Sequence, residues 1–563
     1  MQMKSFLLSL FFLFFIGNQV QAQTGWTKTF DNGLVVSADV YASSAGKQIL
    51  EQGGNAVDAA VAVQFALAVT LPRAGNIGGG GFMMIRLSDG TTKALDFREI
   101  APLRATADMY IRDGEFQPEL SQQGILASGV PGVVDGMITA HERYGRLPLE
   151  VVLQPALELA KNGYYLSYSQ AEDMNNHASR FAKYEGSSKY FLKANKEAFQ
   201  EGELFVQKDL AMVIEQIIQF GRDGFYSGPV ADAIVNEMKS QNGIISHKDL
   251  QNYHSKWRDP IKVKFHEYEL AIMPPPSSGS IAVAQILSMI EDYDLKAMGH
   301  NSADYVHLLA EAMRRAFADR SFYLGDPDFW EIPQGELISK AYNSSRMESF
   351  SMDKVTPSSS LKHGETKGYK EPDQTTHFSV IDKDGNAVGV TTTLNGSFGS
   401  HVAVTGAGFL LNNEMDDFSA QPGVPNMFGL IGGEANAIEK GKRMLSSMTP
   451  TIVSKNGKPS MILGAAGGPR IITATLQTFL NMGVFGMNAQ QAVSAPRIHH
   501  QWFPDRLFFD PYGLSPDTQR LLRDKGHELS QQSVARAHII FIDEDGTKSS
   551  GVDSRGDGYA SGY

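Results

Sequence analysis

Four stretches of this 563-residue chain repeat one layout: an extended run, a tight turn and a second extended run. They are GFMMIRLSDGTTKALDFRE (81–99), THFSVIDKDGNAVGVTTTL (376–394), TIVSKNGKPSMILGAAGG (451–468) and HIIFIDEDGTKSSGV (538–552). Each carries Asp-Gly or Asn-Gly between its runs, the strongest short-range hairpin signal. One such signal is weak. Four commit the chain to substantial antiparallel sheet.

Helical patterns lie around these hairpins. SAGKQILEQGGNAVDAAVAVQFALAV (44–69) reads as two helices broken at Gly53-Gly54, with Asn55 as N-cap and Asp58 in the first turn. The second of them is apolar almost all round and belongs inside. SADYVHLLAEAMRRAFADRSFY (302–323) reads as an amphipathic helix capped by Ser302. RIITATLQTFLNMG (470–483) follows Gly467-Gly468 and a single proline, Pro469, which suits a first helical turn. SPDTQRLLRDKGH (515–527) reads as a short surface helix. Antiparallel sheet with helices in blocks outside it gives a layered α+β domain. Polar composition marks one clear linker, 351–374.

Composition narrows the function. The hydrophobic fraction of 42% supports a large core, and the net charge of -12 weighs against nucleic acid. There is no cysteine, which excludes disulfides and thiolate metal sites. The first 22 residues have the layout of a secretory signal peptide: MQMK, the apolar run SFLLSLFFLFFIG, and VQA ending at Ala22. The alternative is a short membrane anchor, against which the length of the run and the small-residue site both weigh. The expectation is a mature chain from near Gln23 that works outside the cytoplasm, periplasmic or secreted.

The linker ends on DQTTHFSV (373–380), with two threonines opening a strand-like run. A threonine hydroxyl needs a base within reach, and an N-terminal amine on the same residue can serve. Such an amine has a reference pKa of about 7.7–8.0, against about 10.4 for lysine, so much of it is unprotonated near neutral pH. Thr375 gains that base only if the bond before it is cut. The plain alternative is that β-branched Thr-Thr merely suits a strand.

Longer motifs bear on that choice. AGNIGGGGFMMIR (74–86), LDFRE (95–99), GVPGVVDG (129–136) and PPPSSGS (274–280) lie in the first part of the chain. QTTHFSV (374–380), TTTLNGSFG (391–399), LLNNEMDDFSAQPGVPN (410–426), KRMLSSMTPTI (442–452), GAAGGPRII (464–472) and APRIHHQW (495–502) lie in the second. With these motifs in this order, the sequence resembles the γ-glutamyltransferases, a family of N-terminal-nucleophile hydrolases. The resemblance covers nearly the whole mature chain.

The resemblance implies a four-layer αββα sandwich of two stacked antiparallel sheets flanked by helices. It implies self-cleavage between Gln374 and Thr375. The products are a large subunit, 23–374, and a small catalytic subunit, 375–563, which stay in one folded unit. Thr375 then attacks the γ-amide of a compound such as glutathione, and the γ-glutamyl-enzyme passes to water or to an amino-acid or dipeptide amine. Thr393 matches the threonine that orients the nucleophile, and Gly467 and Gly468 match the oxyanion hole. Two glycines before a helix can aim N–H groups into a site, although the pair also makes an ordinary turn. Arg98, with its planar fork, suits the donor's α-carboxylate, and Ser446 and Ser447 can add hydroxyl donors. Asp417, with Asn395 and Glu414, suits the α-ammonium. The plain alternative for Arg98 and Asp417 is a surface ion pair. No metal or cofactor is required.

The sequence departs from the family in places. Glu414 stands where many bacterial members carry Gln. In the lid-like loop 422–436, Phe428 stands where some members have Tyr, so it cannot bond to Asn395. The RGDG run near the C-terminus (555–558) is unfamiliar. Other signals are set aside. GGGG (78–81) lacks the Gly-Lys-Ser/Thr of a phosphate loop and reads as a close backbone approach. DKDGN and DEDG lack the final Glu of a calcium loop and read as hairpin turns. His499-His500 point opposite ways on an extended segment and read as structural. Two rival functions remain: a related acylase acting on glutaryl or cephalosporin-like amides, and a non-catalytic extracytoplasmic amino-acid binder.

Overall fold

The computed structural model describes residues 27–361, 375–421, 423–424 and 426–563. The expected signal peptide, the start near Gln23, and Gln374 lie outside the described residues.

All four hairpins form. Strands Gly80–Arg86 and Thr92–Asp96 pair, as do Thr376–Ile381 with Ala387–Thr393, Thr451–Lys455 with Lys458–Leu463, and Arg536–Ile542 with Lys548–Val552. Only the third is joined by a two-residue turn with positive φ at both positions, Asn456 (52°) and Gly457 (76°). The other three take longer turns in which the glycine alone is left-handed: Gly90, Gly385 and Gly546. The calcium-like runs are turns of this kind. Asp382 Oδ1 accepts from the Asp384 and Asn386 N–H groups at 2.9 Å, and Asp545 Oδ1 accepts from Thr547 N at 2.9 Å.

The hairpins sort into two antiparallel sheets. One runs Tyr559–Gly562, Leu34–Ser37, Thr376–Ile381, Ala387–Thr393, Gly80–Arg86, Thr92–Asp96, Lys256–Arg258. The other runs Thr29–Phe30, Lys548–Val552, Arg536–Ile542, Lys458–Leu463, Thr451–Lys455, Tyr268–Ile272, Ile261–Phe265, with Ala465–Ala466 added on Arg536–Ile542.

The two-residue period of a strand shows why the sheets stack. In the first sheet Val35, Met83, Ile85, Leu95, Phe378, Val380, Val388 and Val390 join the core under helices Val40–Glu51 and Ala56–Thr70. Their neighbours Leu34, Val36, Phe82, Met84, Ala94, Ile381 and Ala387 join the second core, with Ile452, Val453, Met461, Ile462 and Ile540 of the other sheet. Successive side chains point to opposite faces, so both faces are covered. Helices Gly279–Ile290, Ala303–Tyr323 and Arg470–Gly483 pack on the second sheet through Ile286, Leu308 and Leu476. The result is helix, sheet, sheet, helix, stacked and not closed, the four-layer α+β sandwich of the N-terminal-nucleophile hydrolases.

Local expectations hold with adjustments. Asn55 and Asp58 form a reciprocal capping box, and every residue of Ala56–Thr70 is buried. The preceding helix starts earlier than the pattern indicates, at Val40, because Asp39 Oδ1 caps it through the Tyr41 and Ala42 N–H groups. Ser302 caps Ala303–Tyr323, but this helix is not amphipathic: it is buried nearly all round through Arg320. Its charges are held by partners instead of water, as where Glu311 pairs with Arg314 and Arg315. The expected linker is also partly structured. Ser358 is fully buried and bonds to Trp502, Asp505 and Arg314. His499 and His500 are both buried; His499 bonds to Thr473 and Gln501, and His500 Nδ1 accepts from Trp502 N at 3.1 Å. The RGDG run is an ionic clasp, with Arg555 on Asp553 at 2.8 Å and on Asp510 at 2.7 Å.

Candidate active site

Thr375 directly precedes the strand Thr376–Ile381, in the middle of the first sheet, and is 7% exposed. In the pairing register Thr376 faces Thr392, so Thr375 and Thr393 sit at the same end of this hairpin. Thr393 Oγ1 accepts from Asn395 N at 2.7 Å, and Thr393 O accepts from Asn76 Nδ2 at 2.9 Å. Glycine is required beside them: a Cβ on Gly79 would lie 2.1 Å from Thr393 O. The GGGG run is therefore a close backbone approach that supports this corner.

Gly467 and Gly468 join the strand Ala465–Ala466 to the helix Arg470–Gly483. Both have positive φ, 145° and 52°. Gly468 lines the cavity that Thr375 opens onto, together with Pro469 and Ile471. Gly467 does not line it. Its Cα lies against Ala535, which a Cβ would meet at 2.8 Å.

Charge concentrates around Arg98, which lines the same cavity. Arg98 Nη2 donates to Asp417 Oδ2 at 2.5 Å, and Arg98 Nη1 lies 2.7 Å from Glu414 Oε2 and 3.5 Å from Glu99 Oε2. Arg98, Glu99 and Glu414 are buried; the Asp417 side chain keeps 14% exposure, toward the cavity it lines. This is an ion pair, as for an ordinary surface contact, but one removed from water. One guanidinium thus serves three carboxylates, which cannot all ionise at ordinary pH. Burial pushes the Glu99 carboxyl up to about 8 against the pull of Arg98. Burial likewise raises Glu414 well above the usual range and Asp417 to a lesser extent. Burial opposes the Arg98 charge, but Glu414, Asp417 and Glu99 outweigh it and hold the guanidinium protonated.

Backbone and amide contacts fix the remaining walls. Asn395 has φ 72° and donates from Nδ2 to Asn413 O at 3.0 Å. Asn426 Nδ2 donates to Asp417 Oδ1 at 3.3 Å, and Asn436 Nδ2 to Asp417 O at 2.7 Å. Phe428, Leu430, Ile431 and Gly432 of the lid-like loop line the cavity. The PPPSSGS run holds Ser446 and Ser447: Ser446 N donates to Pro276 O at 2.8 Å, and Ser278 N and Oγ both donate to Ser446 O at 2.7 Å.

The structure therefore gathers Thr375, Thr393, Gly468, Arg98, Asn395, Glu414, Asp417, Ser446 and Ser447 around one cavity. Sequence reasoning missed Glu99, Asn426, Asn436 and Arg320. Glu99 adjoins Arg98 in LDFRE, a signal that was there to be used. Arg320 had none, since it sits on a helix that reads as amphipathic. Its guanidinium is buried in the cavity wall, and burial lowers its proton affinity to about 10. Among the described residues, no group of three or more His, Asp or Glu is arranged to hold a metal ion.

The chain is 46% identical over 534 residues to the glutathione hydrolase proenzyme of Escherichia coli (strain K12), covering 94% of this chain and 92% of that protein. It is 48% identical over 513 residues to the glutathione hydrolase proenzyme of Pseudomonas sp. (strain A14), covering 91% and 89%. Its fold is similar to that of a cephalosporin acylase from Bacillus halodurans, with a TM-score of 0.84, 25% identity, and 95% and 97% of the two chains covered. The family model for gamma-glutamyltranspeptidase matches residues 42–563, and the chain belongs to that family.

Proposed function

We propose that this protein is a γ-glutamyltransferase with glutathione hydrolase activity, made as a precursor that cuts itself between Gln374 and Thr375. One observation carries the reading. Thr375, the residue that cleavage would turn into an N-terminal nucleophile, opens onto the same cavity as the buried Arg98–Asp417–Glu414 cluster. Relatives at 46% and 48% identity are glutathione hydrolase proenzymes, which supports both the activity and the processing.

In the first step the Thr375 Oγ attacks the Gln374 carbonyl carbon. The C–N bond breaks, the amine keeps the proton that Oγ lost, and water hydrolyses the ester. The large and small products, 23–374 and 375–563, stay together because their strands alternate. Leu34–Ser37 lies between Tyr559–Gly562 and Thr376–Ile381, and Tyr268–Ile272 pairs with Thr451–Lys455. Separation would expose a ladder of unpaired backbone groups.

In turnover the free α-amine of Thr375 takes the hydroxyl proton as Oγ attacks the γ-carbonyl of the donor. Thr393, fixed by the Asn395 N–H group, orients that hydroxyl. The oxyanion forms against the Gly468 turn, with Gly467 setting its backbone; one such donor is typically worth about 3 kcal/mol of barrier. The leaving amine takes the proton back, and water or an acceptor amine resolves the γ-glutamyl-enzyme. Arg98, Ser446 and Ser447 face the α-carboxylate; Asp417, Glu414 and Asn395 face the α-ammonium. The first 22 residues support a place outside the cytoplasm. Among the described residues, no helix is long and apolar enough to cross a membrane.

The likeness to a cephalosporin acylase favours a second reading, an acylase for donors without an α-amine. Charge argues against it. A donor without an α-amine would leave Asp417 and Glu414 without the cation they face in this reading, whereas a γ-glutamyl head brings its own ammonium. The test is mass analysis of purified protein with rates on γ-glutamyl- and glutaryl-p-nitroanilide. Two chains, the second starting at Thr375, and faster γ-glutamyl turnover are expected; Thr375→Ala stays uncut and inactive. A single intact, active chain overturns the mechanism, and faster glutaryl turnover overturns the substrate.

A further inference from the structure

Arg98 has few donors left for a substrate carboxylate. Nη1 faces Glu414; Nη2 faces Asp417 and Leu445 O at 3.3 Å; Nε faces Met444 O at 3.4 Å. A second guanidinium lines the same cavity. Arg320, in the last turn of Ala303–Tyr323, is 4% exposed. It donates from Nε to Ser278 Oγ at 2.9 Å and from Nη2 to Ser447 Oγ at 3.2 Å. It forms no salt bridge among the described residues. Asp417 is the carboxylate whose field it feels, and burial outweighs that attraction.

A cation buried against neutral hydroxyls is unfavourable unless an anion completes its surroundings. The hydroxyls themselves show where that anion belongs. Ser447 Oγ accepts from Arg320, and Ser446 Oγ accepts from Met448 N at 3.2 Å. With a donor already on each oxygen, each O–H is directed to some other acceptor, and both serines line the cavity. Accepting from a guanidinium also polarises the Ser447 hydroxyl and strengthens it as a donor.

We infer that Arg320 is a specificity-determining positioning residue: acting through Ser447, it supplies the second positive charge that recognises the α-carboxylate of the donor. The inference deepens the γ-glutamyl reading and rests on it. Arg98 then divides its charge between the carboxylate and the acidic cluster, while Arg320 and the serines hold the carboxylate's outer side.

Three p-nitroanilides separate the contributions. The γ-glutamyl compound carries both charged groups, the glutaryl compound only the carboxylate, and the 4-aminobutanoyl compound only the amine. Each is measured as substrate or as competitive inhibitor with wild type, Arg320→Gln, Arg320→Lys and Ser447→Ala. For Arg320→Gln, KM for the γ-glutamyl donor is expected to rise about 10- to 100-fold, with kcat within about threefold of wild type. The preference for γ-glutamyl over 4-aminobutanoyl falls by the same factor, and Arg320→Lys recovers part of it. Arg320→Lys keeps a cation in place and carries the test if Arg320→Gln does not fold; Ser447→Ala is expected to lose the same preference, and adding Arg320→Lys to it to cost little more, because the two act through one contact. An equal loss on all three compounds, or a fall in kcat with KM unchanged, would make Arg320 a structural brace and overturn the inference. A wild type inactive on the γ-glutamyl donor would instead remove the functional reading, and this inference with it.

Discussion

Arg98 and Asp417 are 319 residues apart in the chain and 2.5 Å apart in the fold. Cleavage before Thr375 would place them on different polypeptides, so this buried pair would join the two products at the substrate pocket. Removing one partner of such a pair strands the other charge in a poorly solvated place. Asp417→Asn keeps the shape and removes the charge. We expect kcat/KM on γ-glutamyl-p-nitroanilide to fall about 100-fold or more, near 3 kcal/mol, while self-cleavage still proceeds. A variant within about threefold of wild type would remove Asp417 from substrate recognition.

Glu99 ties stability to pH. Its carboxyl titrates near 4.5 in an unfolded chain and near 8 when buried beside Arg98. Between those values the folded state binds more protons, so stability falls as pH rises. The contribution is complete below about pH 4.5 and lost once pH has risen through about 8. Glu99→Gln is neutral throughout, and Arg98 retains Glu414 and Asp417. The melting temperature of the variant is expected to gain on wild type from pH 5 to pH 9, by at least about 2 °C. A difference that stays constant across that range would show that Glu99 does not hold the proton.

Much of this was legible in the sequence because it is written in local patterns. Asp-Gly and Asn-Gly marked four hairpins, Asn55 and Ser302 marked helix starts, and the motif order placed nine cavity residues. The misses are long-range. Ala303–Tyr323 alternates charge and apolar groups as a surface helix would, yet Arg314 on it is buried and neutralised by Asp505, 191 residues away. Arg320 could not be assigned to the pocket, because Ser278 and Ser447 reach it only through the fold. The polar run from 351 looks like coil because polarity alone does not reveal that Ser358 is buried.

Gly467 should matter although it stays behind the cavity wall. Its φ of 145° is open to glycine, and a Cβ would meet Ala535 Cα at 2.8 Å. Gly467→Ala must therefore shift the turn that presents Gly468. We expect kcat on γ-glutamyl-p-nitroanilide to fall about 100-fold with KM little changed, since the transition state loses a well-placed donor and the ground state does not. A rise in KM with kcat intact would place the turn in substrate binding instead.

Ser358 is one of the residues that tie the segment 351–361 to the rest of the fold. Ser358 N donates to Asp505 Oδ2 at 2.7 Å, Ser358 Oγ donates to Trp502 O at 2.7 Å, and Ser358 O accepts from Trp502 Nε1 at 3.1 Å. Arg314 Nη1 adds a donor to the same hydroxyl at 2.5 Å. Ser358→Ala keeps the backbone bonds but leaves a buried guanidinium and a buried carbonyl each short of a partner, at about 1–3 kcal/mol. Ser360 makes the natural control, because its hydroxyl is exposed and bonds only locally, to Pro357 O at 2.7 Å. We expect Ser358→Ala to melt a few degrees below wild type and to be cut faster by added protease within 351–361, with Ser360→Ala unchanged on both measures. If the two variants behave alike, burial of Ser358 does not anchor this segment.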